Sequence, residues 1–134
     1  MALSLGVVVD ASMLPGWLAL AEPDGEVVGL LTYLAGGEVV DIVTINAFAG
    51  GGIGAALVEA LAGEVRGMAV RLRVTTTNDN TRSLRFYQRA GFRLTALHLG
   101  AVDEARKIKP EIPAIGHDGI PIRDELELEM ELSR

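Results

Sequence analysis

The stretch Asn80-Thr-Arg-Ser-Leu-Arg-Phe-Tyr-Gln-Arg-Ala-Gly-Phe92 decides how this chain folds. Asn80 is a helix opener, because its side-chain oxygen can accept one of the orphan backbone N–H groups of a first turn. Tyr87 comes about two turns later, so it returns to nearly the face of Asn80, with Ser83 between them. An amide, a hydroxyl and a phenol therefore line one side of a short helix. Gly91 ends it in the left-handed conformation that follows many helices, and Phe92 leads into the next strand. Upstream, Ala69-Val-Arg-Leu-Arg-Val-Thr-Thr-Thr77 is strongly β-prone and runs directly into Asn78-Asp-Asn80. The unit reads strand, short helix, strand.

A second informative segment is Asp41-Ile-Val-Thr-Ile-Asn-Ala-Phe-Ala-Gly-Gly-Gly-Ile-Gly-Ala-Ala-Leu57. An apolar strand runs into Gly50, Gly51, Gly52 and Gly54, and this cluster opens a helix. Backbone N–H groups at a helix N-terminus, together with the macrodipole, bind an anion without any basic side chain. Glycine lets phosphate oxygens approach the main chain closely. Over residues 53–66, Ile53, Leu57, Ala60, Leu61 and Val65 form one stripe, the spacing of a helix packed on a sheet. A diphosphate-bearing cofactor is the natural ligand of Gly50–Ala55.

With both segments in view, the chain resembles the GNAT superfamily of acyl-CoA-dependent N-acetyltransferases. The family's second signature, Asn-x-x-Ala/Ser-x-x-x-Tyr-x-x-x-Gly-Phe, is complete here in Asn80, Ser83, Tyr87, Gly91 and Phe92. Its phosphate loop, Gln/Arg-x-x-Gly-x-Gly/Ala, is matched by Gly52 and Gly54, while Ala49 stands where the family has Gln or Arg. That departure removes a side-chain contact and leaves the main-chain amides. The resemblance implies an α/β (α+β) fold with a mixed, mostly antiparallel twisted sheet, covers residues 16–99 plus a final strand, and brings acetyl-CoA as acyl donor. It implies that Asn80 and Ser83 meet the cofactor arm and that Tyr87 sits beside the sulfur, donating to the departing thiolate.

Composition agrees. A chain of 134 residues is one domain, 1–134, large enough to bury about two thirds of its unfolded surface. A mean hydropathy of +0.32 with 22% charged residues leans apolar and hints at a buried subunit contact. The net charge of −6 argues against a nucleic-acid surface. No apolar run reaches the roughly 20 residues that span a bilayer, and residues 1–9 lack the basic start of a signal peptide, so a cytoplasmic protein is expected. The absence of cysteine excludes disulfides, thiolate-bound metal and a thiol nucleophile.

Pro23-Asp-Gly25 and Gly36-Gly37 separate apolar runs at Trp17–Ala21, Val27–Leu34 and Val39–Ile45, which predicts a three-stranded antiparallel meander. A further strand is expected at Arg93–Leu99. Glu125-Leu-Glu-Leu-Glu-Met-Glu-Leu132 alternates with period two, predicting a last strand with one core face and one solvent face.

The N-terminus departs from the family, which places two helices between its first and second strands. Val7–Val9 is a candidate first strand, yet only Asp10–Pro15 follows before the next. That gap is too short for a helix pair. The cleft is then either open or completed by another subunit, and the expectation is a homodimer in which Met13, Leu14 or Trp17 covers the exposed sheet face. The other unusual part is the connection Gly100–Arg123, since ordered loops beyond about 12 to 15 residues tend to be functional or to hide an element. A short helix is expected at Val102–Ile108, with Pro110, Pro113 and Pro121 stiffening the rest. In the family this region borders the acceptor, and here it offers Arg106, Lys107, Lys109, His117, Asp118 and Arg123.

Amide formation requires an amine to attack a thioester carbonyl, an oxyanion to form and a thiolate to leave. A lysine-like amine of pKa about 10.4 must first lose a proton, at a cost of about 4 to 5 kcal/mol at pH 7. Asp41, set among Val39, Val40, Ile42 and Val43, is one candidate base, because desolvation would favour proton uptake there. Glu38, at the start of the same run, is the other. A backbone N–H around Thr44, Ile45 and Asn46 would serve the oxyanion. His98 and His117 stand apart from any catalytic pattern, and no cluster has metal-ligand spacing. Gly50-x-Gly52-x-x-Ala55 also fits the dinucleotide fingerprint, but that motif needs a parallel βαβ frame where this sequence predicts an antiparallel meander. The remaining rival is a non-catalytic acyl-CoA-binding module of the same fold.

Overall fold

A computed structural model describes residues 16–21, 24–47 and 52–132. The described elements are β1 (Gly16–Ala21), β2 (Val27–Gly36), β3 (Val39–Ala47), α1 (Ile53–Val65), β4 (Arg71–Thr77), α2 (Thr81–Arg89), β5 (Arg93–His98), α3 (Ala101–Ile108) and β6 (Glu125–Glu131). The strands form a six-stranded sheet in the order β1-β2-β3-β4-β6-β5. The chain falls into two compact units, one ending at Leu72 and taking back the residues from Glu131, the other Arg73–Met130.

The first unit is the predicted meander with α1 laid on it. Pairing of β1 with β2 and of β2 with β3 is antiparallel throughout, which removes the parallel frame that a dinucleotide fingerprint would need. One sheet face supplies Leu18, Leu20, Leu31, Val40 and Ile42, all at or below 5% exposure. Helix α1 meets that side with Ile53, Leu57, Val58, Leu61, Ala62 and Val65. Ala60, expected on this stripe, is only half-buried; Val58 and Ala62 lie closer to the centre of the packed face. Gly29 permits a close approach: an added Cβ there would stand 2.5 Å from Ile53 Cγ2 and 3.0 Å from Leu57 Cδ1.

In the second unit, Tyr87, Phe92, Val102 and Leu128 are buried. β6 runs antiparallel to β5, with Leu97 opposite Leu126 and His98 opposite Glu125. The predicted contrast between the faces of β6 is muted. Leu128 is fully buried, but Glu125, Glu127 and Glu129 are half-covered rather than open to solvent. The reason is position: β6 lies between two strands in the sheet order, and neighbouring side chains reach over it, as His98 Nε2 does to Glu127 Oε1 at 3.1 Å. Val7–Val9, Met13 and Leu14 lie outside the described residues, as do Ala49, Gly50 and Gly51.

Candidate active site

Helix α2 carries the residues that the sequence singles out, and both of its ends are fixed locally. At the start, Asn80 Oδ1 accepts the N–H of Ser83 at 3.1 Å, the capping bond that the sequence predicts. At the end, Gly91 takes φ 108. The Gly91 N–H then reaches the Gln88 carbonyl at 3.2 Å and the Phe92 N–H reaches the Tyr87 carbonyl at 2.9 Å, the paired bonds of a Schellman ending. Between these ends Tyr87 is 4% exposed. Its ring packs edge to face with Phe86 at 5.2 Å and Phe92 at 5.4 Å. No side chain or main-chain group among the described residues bonds its hydroxyl. Burial pushes the phenol up to about 12, so it is a proton donor throughout the physiological range. Asn80 uses Oδ1 for the cap, which leaves its Nδ2 end for a ligand.

The phosphate-loop residues that the structure describes are Gly52, Ile53, Gly54 and Ala55. Gly52 is the N-cap of α1 with φ 83 and ψ 15, and no side chain caps the helix. The first intrahelical bond runs from Ala56 N–H to the Gly52 carbonyl at 3.0 Å. The N–H groups of Ile53, Gly54 and Ala55 precede that bond and have no acceptor within the helix. A left-handed glycine followed by bare N–H groups has the geometry that can seat an anion.

On β3 the pairing register slips between Thr32 and Tyr33: Tyr33 faces Ile42 and Thr32 faces Thr44, so Val43 is an extra residue. This β-bulge was not foreseen. Its signal was present, because Ile42 and Ile45 both read as inward residues although three positions apart, which a period-two strand cannot achieve without an insertion. Thr44, Ile45 and Asn46 follow the bulge and remain paired with β2. Asp41 is half-buried and interacts with other groups of the protein. Its neighbours in sequence divide between the two faces of the strand. Val40 and Ile42 turn to the buried side, whereas Asp41 shares the other face with Leu34, 44% exposed. Glu38 is exposed, and its carbonyl accepts Val70 N–H at 2.8 Å.

Residues 9–92 match the family model for the acetyltransferase (GNAT) family. This chain belongs to the GNAT family. It is 42% identical to YxbD of Bacillus subtilis over 111 residues, spanning 81% of this chain and 70% of that protein. Its fold is similar to that of a GNAT acetyltransferase from Elizabethkingia anophelis with acetyl-CoA bound, with a TM-score of 0.75, 24% identity, and coverage of 88% of this chain and 76% of that one. A Bacillus subtilis acetyltransferase in complex with CoA gives a TM-score of 0.72 at 24% identity, covering 89% and 78%.

This GNAT domain also contains a polar cluster that the sequence did not reveal. Asp79 is 3% exposed, the one charged residue so buried among those described. It accepts Thr77 Oγ1 at 2.5 Å and the His117 N–H at 3.1 Å. Burial pushes its carboxyl up, but these hydrogen bonds outweigh that and hold it below its usual range. His117 belongs to a small hairpin closed by Gly116 N–H to Ile120 carbonyl at 2.8 Å and Ile122 N–H to Ala114 carbonyl at 2.9 Å. Asp118 (φ 55) and Gly119 (φ 74) form its turn, the positive-φ pair of a type I′ turn. An Asp-Gly pair in a long connection was the available clue. Neighbouring Asn78 accepts the N–H groups of Arg123 and Asp124 and donates to the Pro121 carbonyl. Arg106, one of the polar side chains the sequence offers in this connection and more readily read there as a solvated cation, is turned inward from α3 to the carbonyls of Ile112, Pro113 and Ile122 at 2.8–3.1 Å. The long connection thus consists of the expected short helix, α3, followed by a braced hairpin.

Among the described residues of this GNAT domain, no His, Asp and Glu group has an arrangement that could hold a metal ion, and no helix is long and apolar enough to cross a membrane.

Proposed function

We propose that this protein is an N-acetyltransferase that moves an acetyl group from acetyl-CoA to a primary amine by direct attack within a ternary complex. The observation that carries this reading is Tyr87: a buried ring, held at both ends of its helix, with a hydroxyl that no described residue engages. The diphosphate of the cofactor is taken by Gly50–Ala55 and the first turn of α1, and the pantetheine arm by Asn80 and Ser83. The amine nitrogen attacks the thioester carbon, and a backbone N–H near Thr44–Asn46 receives the oxyanion. The C–S bond then breaks and the electron pair leaves on sulfur. Tyr87 meets that thiolate with its hydroxyl. With the phenol at about 12 and an ordinary thiol near 8.5, complete proton transfer would cost about 5 kcal/mol, so the phenol acts by donating a hydrogen bond. The proton lost by the amine passes to Asp41 or Glu38, directly or through water.

A homodimer belongs to the same reading, supported by Leu34 at 44% and Val43 at 52% exposure in the meander; a single-subunit mass by light scattering at micromolar concentration counts against it. The transfer reaction is tested by following free thiol from acetyl-CoA in the presence of a panel of primary amines. Amine-dependent thiol release with formation of the acetylated amine is the expected result. Tight acetyl-CoA binding without release from any amine would leave a binding module instead of an enzyme.

A further inference from the structure

The buried carboxylate of Asp79 takes no part in the chemistry above, yet it joins two pieces of chain that sequence keeps far apart. On one side is the β4–α2 turn. There Asn80 N–H bonds the Thr77 carbonyl at 3.1 Å and Thr81 N–H bonds the Asp79 carbonyl at 2.9 Å. Asn80 then caps the helix that bears Tyr87. On the other side is the hairpin 114–122, whose His117 N–H ends on Asp79 Oδ2. Space between them is tight: a Cβ on Gly116 would overlap Asp79 Oδ2 and stand 2.6 Å from its Cγ. Only a residue without a side chain lets the hairpin backbone come this close.

We propose that Asp79 is a positioning residue, through which the hairpin 114–122 sets the first turn of α2 and hence the placement of the Tyr87 hydroxyl. A buried carboxylate that lost these donors would be left desolvated without partners, which costs more than the bonds themselves contribute. The contact is therefore held closed. The hairpin is in turn braced by Arg106 from α3 and by Asn78 from the same turn as Asp79. Turn, hairpin and helix start move as one body. The tip residues His117 and Asp118 are exposed and carry polar groups at a fixed offset from α2.

Asp79→Asn and Gly116→Ala test this from opposite sides of the contact. The first removes the charge and keeps the shape; the second inserts a methyl group and leaves α2 untouched. Amide hydrogen exchange on the full chain should show the N–H groups of His117 and Ser83 losing protection together in each variant. In the acetyl-transfer assay each variant should lose about tenfold in kcat, with the KM for acetyl-CoA within threefold. The double variant should lose no more than the worse single one, because both changes break one contact. The kinetic arm rests on the acetyl-transfer reading; the exchange arm does not. Wild-type protein without any transfer activity would therefore overturn that reading while exchange still decides the coupling. Unchanged protection of Ser83 in both variants would overturn the positioning role. So would a lowered melting temperature accompanied by wild-type kcat.

Discussion

Phe92 and Tyr87 are joined twice, once through the main chain and once through their rings. The Phe92 N–H donates to the Tyr87 carbonyl at 2.9 Å, and the rings meet edge to face with centroids 5.4 Å apart and planes at 67°. The same pair of residues closes the helix and orients the phenol. Gly91, which takes φ 108 between them, makes both contacts compatible.

Removing the phenol oxygen should separate chemistry from binding. Tyr87→Phe keeps both ring contacts and deletes the donor, so kcat should fall about 100-fold while the KM for acetyl-CoA stays within about threefold. Steady-state kinetics over a range of acetyl-CoA concentrations reads both. A kcat near wild type would remove Tyr87 from the mechanism.

The same group gives a stability signature at high pH. Its folded pKa of about 12 lies above the ordinary value of 10.0, so below about pH 10 both states keep the proton and this contribution is fully present. Between pH 10 and 12 the unfolded phenol ionises and the folded one does not. Unfolding then releases a proton, and stability falls by up to about 3 kcal/mol as pH passes through the folded value. Denaturant titrations of wild type and Tyr87→Phe from pH 9 to 12 should show a shallower fall in the variant, where only Tyr33, also raised by burial, still contributes.

Two glycines should respond oppositely to one chemical change. Gly29→Ala drives a methyl group into Ile53 and Leu57, an overpacking that costs about 1–3 kcal/mol. It displaces the start of α1, so acetyl-CoA affinity should weaken with it. Gly63 is exposed within α1, and an added Cβ there meets nothing within 4 Å. Gly63→Ala should add about 0.5–1 kcal/mol through helix propensity alone. Thermal melts with a calorimetric acetyl-CoA titration distinguish the two.

Local chemistry was what the sequence disclosed well. The meander, α1, the capped helix at Asn80 and the stop at Gly91 each follow from a few adjacent residues, and their boundaries came out within a few positions. What escaped depends on partners distant in the chain. Asp79 looks like any turn aspartate until His117, 38 positions away, is placed against it. Arg106 looks like a solvated cation until Ile112, Pro113 and Ile122 turn their carbonyls toward it. Asp41 illustrates the converse: Val40 and Ile42 alternate across the strand to the opposite face, and the residue that faces Asp41 is Leu34 of the neighbouring strand. The β3 bulge was legible in principle from the spacing of Ile42 and Ile45, but only once inward and outward positions had been assigned.

The uncapped start of α1 divides labour between two parts of the same residue. Ile53 anchors the helix with a side chain that is 1% exposed, while its nitrogen belongs to the proposed anion seat. Peptide nitrogens are present whatever the codon specifies. Under the proposed function, drift at Gly54 or Ala55 can therefore rewrite the loop's surface and leave the proposed hold on phosphate intact, provided the newcomers stay small. A substitution that unseats the isoleucine would loosen that hold without touching a single ligand atom.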